Sequence, residues 1–172
     1  MTAQPPAGGL WSPQFDRVVP DFLAKPLKPA RAIAGGWAVA FPISMLLSVL
    51  AQALVPDGLA PTFPVDGWST VFALAVFAPA VETLIMGAVL LLLLHLVRPE
   101  LAVAISAIGW GIAHSLVAPI WGLVIWWPFL IFSILFVTWR QRSLAMAFLV
   151  PMLVHGLQNL LPALLIVSGV AV

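Results

Sequence analysis

The stretch Phe148–Leu165, "FLVPMLVHGLQNLLPALL", decides the class of fold. A helix that crosses the ~30 Å hydrocarbon core of a bilayer needs about 20 mostly apolar residues. This run and its equally apolar flanks supply them. The apolar positions are continuous rather than alternating, which indicates a helix and not a barrel strand. His155, Gln158 and Asn159 interrupt the run. An imidazole and two carboxamides at that depth need partners, and those partners must come from other parts of the chain.

Composition extends the reading outward. Of 172 residues, 63% are hydrophobic and 8% are charged. A soluble domain carries about 25% charged residues. This chain cannot cover its surface with polar groups, so its partner is a lipid bilayer. A net charge of +1 carries no nucleic-acid footprint. With no cysteine, disulfides and thiolate metal sites are excluded.

Five apolar segments are expected to form five spanning helices of an all-α polytopic membrane protein. They are Ala32–Leu54, Thr70–Val97, Leu101–Val117, Ile120–Trp139, and a last one from near Ser143 towards the C-terminus. Pro151 or Pro162 is expected to bend the last segment, because proline removes a backbone donor. Residues 1–31 hold six prolines and lack the basic start and apolar core of a signal peptide. They read as a mostly irregular, solvated tail, with Trp11, Phe15 and Phe22 as candidate surface contacts.

Arg17, Lys25, Lys28 and Arg31 precede the first segment, Arg98 follows the second, and Arg140 and Arg142 follow the fourth. The connections around Asp57–Gly67 and Pro119 carry no Lys or Arg. Five alternating passes put all seven basic residues on one side, which the positive-inside rule makes cytoplasmic. The N-terminus is then inside, in a membrane expected to be bacterial and plasma. Trp121 and Trp139, at the two ends of segment four, suit interfacial belts.

Within the spans the candidate site residues are Glu82, the one carboxylate there, with His114, His155 and Asn159. His95 sits by Arg98 at the cytoplasmic boundary and reads as interfacial. Glu82 lies about 12 residues, or ~18 Å, from the outer end of its segment. His155 lies about 12 residues, ~18 Å, from the inner end of its own, and His114 about 13, ~20 Å. In a ~30 Å core the three fall in one layer. His155 and Asn159, spaced i, i+4, share a helix face, as do Trp110 and His114.

A carboxylate in a low-dielectric site can serve as a general base, with a histidine helping it hold a water. A second histidine and an asparagine can donate to a developing oxyanion. The set suits hydrolysis of a peptide bond without a covalent intermediate, and this reading needs no cofactor. One glutamate and two histidines are also a donor set for zinc with an open position, namely Glu82, His114 and His155. No HExxH helix is present.

"FAPAVETLIMG" (77–87), "WGIAH" (110–114) and "HGLQN" (155–159) resemble, in order, the three motifs of the CAAX-protease and bacteriocin-processing family (CPBP, or Abi). Those proteins are intramembrane peptidases. The first family motif is two glutamates, three variable residues and an arginine, with a proline three positions before. Pro79 and Glu82 match it. The second, an aromatic residue and a histidine four positions on, matches Trp110 and His114. The third, histidine and then asparagine or aspartate four positions on, matches His155 and Asn159. The resemblance spans roughly residues 77–162. It implies a glutamate-dependent endopeptidase acting on a peptide or protein substrate, membrane-associated in the family's best-known cases. In it Glu82 and His114 would activate water, and His155 with Asn159 would stabilise the oxyanion. The second glutamate is Thr83 here and the arginine is Gly87. Losing both charges leaves no orphan ion in the membrane, so the first motif reads as a coherent variant.

Structural readings stand beside the catalytic one. Glu82 can lock helices together, and Asn159 can act as interhelical glue worth ~1 kcal/mol. Trp126, Trp127, Phe129 and Phe132 read as packing residues, and Gly109 and Gly111 as sites of close helix approach. A non-catalytic scaffold that binds a partner is therefore the alternative function. A proton or ion relay is a third, disfavoured by the lack of an inverted repeat or a pair of broken helices.

Overall fold

The computed structural model describes residues 9–55 and 67–169. The first eight residues of the tail and most of the connection at 57–67 lie outside the described residues. The described chain is helical, with helices α1 (Pro13–Val18), α2 (Asp21–Ala24), α3 (Pro29–Leu54), α4 (Gly67–Phe72), α5 (Ala78–Leu96), α6 (Pro99–Ser115), α7 (Gly122–Trp139) and α8 (Leu144–Val167). One π-helical turn, Ala73–Phe77, joins α4 to α5 without a break.

Helix ends follow local chemistry. Proline occupies the first turns of α3 and α6, where its missing N–H costs nothing. Ser12 caps α1 by accepting from Phe15 N–H, and Ser143 caps α8 by accepting from Met146 N–H at 3.1 Å. Helix α8 runs unbroken through Pro151 and Pro162.

Helix α7 is the centre of the bundle. Its residues from Pro128 to Trp139 are buried except for half-buried Leu130. A helix apolar on every face needs neighbours all round, and α3, α5, α6 and α8 pack against it. The α6–α7 pair is antiparallel and close at one end. A Cβ on Gly122 would collide with the Gly111 carbonyl, and one on Gly111 would lie 3.1 Å from both the Gly122 carbonyl and Trp126 Cβ. Gly109, expected to share that role, faces open space. Further along, Ser133 donates to Ser106 at 3.0 Å, a polar pin between the same two helices.

Around this core the outward faces are apolar. Leu46, Val49, Leu84, Ile85, Leu92, Ile108, Ile112 and Leu153 are all exposed. An apolar collar of this extent belongs in lipid. Four stretches are long and apolar enough to cross a membrane: Pro29–Leu54, Gly67–Leu96, Gly122–Trp139 and Leu144–Val167. Helix α6, expected as a fifth span, has 17 residues and falls short of that length.

The N-terminal segment departs from the irregular tail expected of it. Pro29–Arg31 open α3, and residues 9–28 fold onto one end of the bundle. Trp11 is 4% exposed and stacks on Phe15 at 4.3 Å, and its indole N–H donates to the Ala24 carbonyl at 3.2 Å. Leu23 joins the same core. Ser12 N–H donates to Glu100 Oε1 at 2.6 Å, and Arg142 donates to the Leu27 carbonyl at 3.2 Å. Scattered aromatics in a proline-rich segment hid this docking, because no periodicity announces it. Helix α2 covers the end of α7, so Trp139 is fully buried there and does not sit in an interfacial belt.

Candidate active site

Glu82 and Thr83 are consecutive on α5, and both reach His155 on α8. Glu82 Oε2 lies 3.5 Å from His155 Nε2, and Thr83 Oγ1 lies 3.5 Å from His155 Nδ1. Both separations lie at the long end of the range for hydrogen bonds. The two residues differ in access. The His155 side chain is 3% exposed, whereas that of Glu82 is 26% exposed at the rim of the buried face of α5. Thr83 is fully buried.

Aromatic rings hold the imidazole in place. Phe132 stacks on His155 at 4.6 Å and 27°, and Phe129 meets it edge-on at 5.2 Å and 76°. Phe129 also stacks on Trp110 at 4.4 Å. The packing role expected of Phe129 and Phe132 is therefore local to the site.

His114 also contacts Phe129, 5.7 Å between ring centroids. Trp121 approaches it edge-on at 4.9 Å. Its Nδ1–H donates to the Trp110 carbonyl one turn back at 2.8 Å, which leaves Nε2 as the acceptor. Glu82, His155, Phe129 and His114 thus form one layer across α5, α8, α7 and α6. The layer places His155, rather than His114, beside the carboxylate. Among the described residues no three His, Asp or Glu side chains are grouped to hold a metal ion. Glu82, His114 and His155 are not so grouped: the carboxylate lies beside His155, while the ring contacts of His114 are with Trp110, Trp121 and Phe129.

Asn159 turns elsewhere. Its amide donates to the Leu74 carbonyl at 3.1 Å. The reason lies in Pro79. In the π turn Ala78 N–H bonds to the Ala73 carbonyl, five residues back. The same register would pair Leu74 with the N–H of residue 79, and proline has none. Asn159 supplies the missing donor. Gly156 lets α8 approach here, since a Cβ would lie 2.9 Å from the Ala75 carbonyl. The expected oxyanion donor is thus engaged with the backbone that leads into Glu82. Gln158, noted in the sequence only as an interruption, is 6% exposed, and its Oε1 has no partner among the described residues. His95 is exposed and donates to the Leu91 carbonyl at 2.6 Å, away from the site.

Thr83 is marked in the sequence only as the replacement of a motif glutamate, and neither its approach to His155 nor the part of the Leu74 carbonyl is recognisable there. Pro79 and Asn159 were the available signal, a missing donor in one helix and a spare donor in another. No family model, no curated protein and no solved structure matches this chain.

Proposed function

We propose that this protein is an intramembrane endopeptidase of the CPBP kind, with Glu82 as the general base. The carboxylate takes a proton from water, and the hydroxide so formed attacks the peptide carbonyl carbon. The proton then passes to the leaving amine as the C–N bond breaks. The Nε2–H of His155 orients the Glu82 carboxylate and turns to the oxyanion once Glu82 has taken its proton, and Asn159 offers its second amide N–H to the same charge. His114, held by the Trp110 carbonyl, buttresses the layer through Phe129. One observation carries the reading: the lone carboxylate of the apolar spans meets a sealed imidazole and stays open on its other side. An open carboxylate at the rim suits a substrate that arrives from the lipid or the membrane surface.

The test is cleavage of a membrane-embedded peptide library by protein reconstituted in liposomes, read by mass spectrometry. Glu82→Gln is expected to lower turnover by roughly 10²–10⁴-fold and to leave peptide binding in place. Undiminished cleavage by that variant overturns the mechanism. A second reading, a non-catalytic scaffold, draws on the donors of His114 and Asn159, which both satisfy backbone carbonyls. It requires that neither the wild type nor Glu82→Gln cleaves any peptide.

Five crossings with a cytoplasmic N-terminus belong to the same proposal. Helix α6 is ~26 Å long at helical rise, a few ångströms under the mean core, a mismatch that local thinning absorbs. The chain has no cysteine, so single cysteines at Arg17 and Gln52 report sidedness cleanly. Labelling of both from the same side would break the topology.

A further inference from the structure

His155 has two polar neighbours of known position, one at each ring nitrogen. Neutral imidazole carries a single N–H, so one nitrogen donates and the other accepts. The general-base role requires an ionised Glu82, and an ionised carboxylate only accepts. Facing it, Nε2 favours the hydrogen, and Nδ1 then presents its lone pair. A buried lone pair needs a donor, and the Thr83 hydroxyl is the one placed to give it. The opposite tautomer would aim the lone pair of Nε2 at the carboxylate oxygen, and like charge density would separate them. Phe132 on the face and Phe129 at the edge hold the ring plane but do not distinguish the two nitrogens. Aromatic packing alone accepts the ring in either flip state.

We infer that Thr83 is a positioning residue: its hydroxyl donates to His155 Nδ1 and so holds the imidazole in the Nε2–H tautomer directed at Glu82. This rests on the peptidase reading for its consequence and for the ionised state of Glu82, but not for its distances. Two further features favour a neutral hydroxyl in this role. Thr83 is fully buried, where a second carboxylate would lie beside Glu82 with no cation to offset it. The place one turn on, where such a cation could be carried, is closed. A Cβ on Gly87 would collide with Phe148 and lie 2.6 Å from Phe136 Cε2. A hydroxyl can also turn from donor to acceptor. If His155 takes a second proton during turnover, Nδ1–H still finds a partner.

The experiment is ¹⁵N NMR of the histidine side chains in protein reconstituted in lipid, compared for wild type, Thr83→Val and Thr83→Ser. The three histidines are assigned by single replacement of each. Wild type is expected to show His155 as one tautomer with the hydrogen on Nε2. Thr83→Val keeps the shape and removes the donor, and it is expected to give both tautomers, with at least a tenfold rise in the Nδ1–H form. Thr83→Ser is expected to restore the single form. The signals of His114, whose Nδ1 is held by its own helix, stay unchanged in all three and verify the fold. Unaltered His155 signals in Thr83→Val, or an Nδ1–H form in the wild type, overturn the inference. Neither readout needs turnover, so a failure here is distinct from a failure of the Glu82→Gln test.

Discussion

Two regions of this molecule join residues far apart in sequence, and they do it differently. At the end where the N-terminal segment docks, main-chain groups dominate: Ser12 N–H meets Glu100, and the Ala24 and Leu27 carbonyls meet Trp11 and Arg142. In the middle of the bundle, side chain meets side chain: Glu82 and Thr83 meet His155. Helix ends expose backbone groups that must be satisfied by something. Mid-helix, the backbone is already paired, so polar side chains are released to meet one another. Two side chains cross to backbone carbonyls within the bundle: Asn159 meets the Leu74 carbonyl that Pro79 and the π turn have freed, and the Trp127 indole N–H meets the Val39 carbonyl at 3.2 Å.

The comparison can be broken from either region. The largest effect is expected from Trp11→Ala. Truncating a buried tryptophan costs about 3–5 kcal/mol, and here the loss falls on one docked segment. Residues 9–28 should undock while the bundle persists. Tryptic cleavage after Arg17 should rise at least tenfold, and unchanged cleavage would show that the docking does not depend on the indole. Next comes a double-mutant cycle of Glu82→Gln with His155→Gln, read by unfolding in detergent. A coupling of about 1–2 kcal/mol is expected, against near zero for Glu82→Gln with His114→Gln. Equal couplings would erase the distinction drawn between the two histidines.

Asn159→Ala should cost ~1 kcal/mol, the price of one orphaned carbonyl in the membrane. Hydrogen exchange at residues 73–78 should quicken while exchange in α3 does not. The smallest effect concerns Glu100. Burial raises its carboxyl pKa, but the hydrogen bonds from Ser12, aided by Arg98, outweigh that and hold it below the ordinary value. A carboxyl whose pKa is lowered by folding stabilises the docked form above its unfolded pKa, near 4. That contribution fades as pH falls through the folded value. The Ser12 amide resonance should titrate with Glu100 and should stop doing so in Glu100→Gln.

The sequence by itself determined the helical, membrane-embedded class, four of the five spanning stretches expected of it, and the isolation of Glu82 as a carboxylate among them. These are properties of length and composition along one dimension. Counting residues from the ends also brought Glu82, His114 and His155 to a common level, since rise per residue is constant in a helix. What it could not determine was rotation and close packing. Whether His155 or His114 turns towards Glu82 depends on which face of each helix meets α7, and that is decided by contacts such as Phe129 against both rings. The docking of Trp11, the burial of Trp139 and the diversion of Asn159 to Leu74 follow from neighbours in space. Tertiary structure decided them, because a polar group in an apolar interior takes the nearest partner that the packing leaves free.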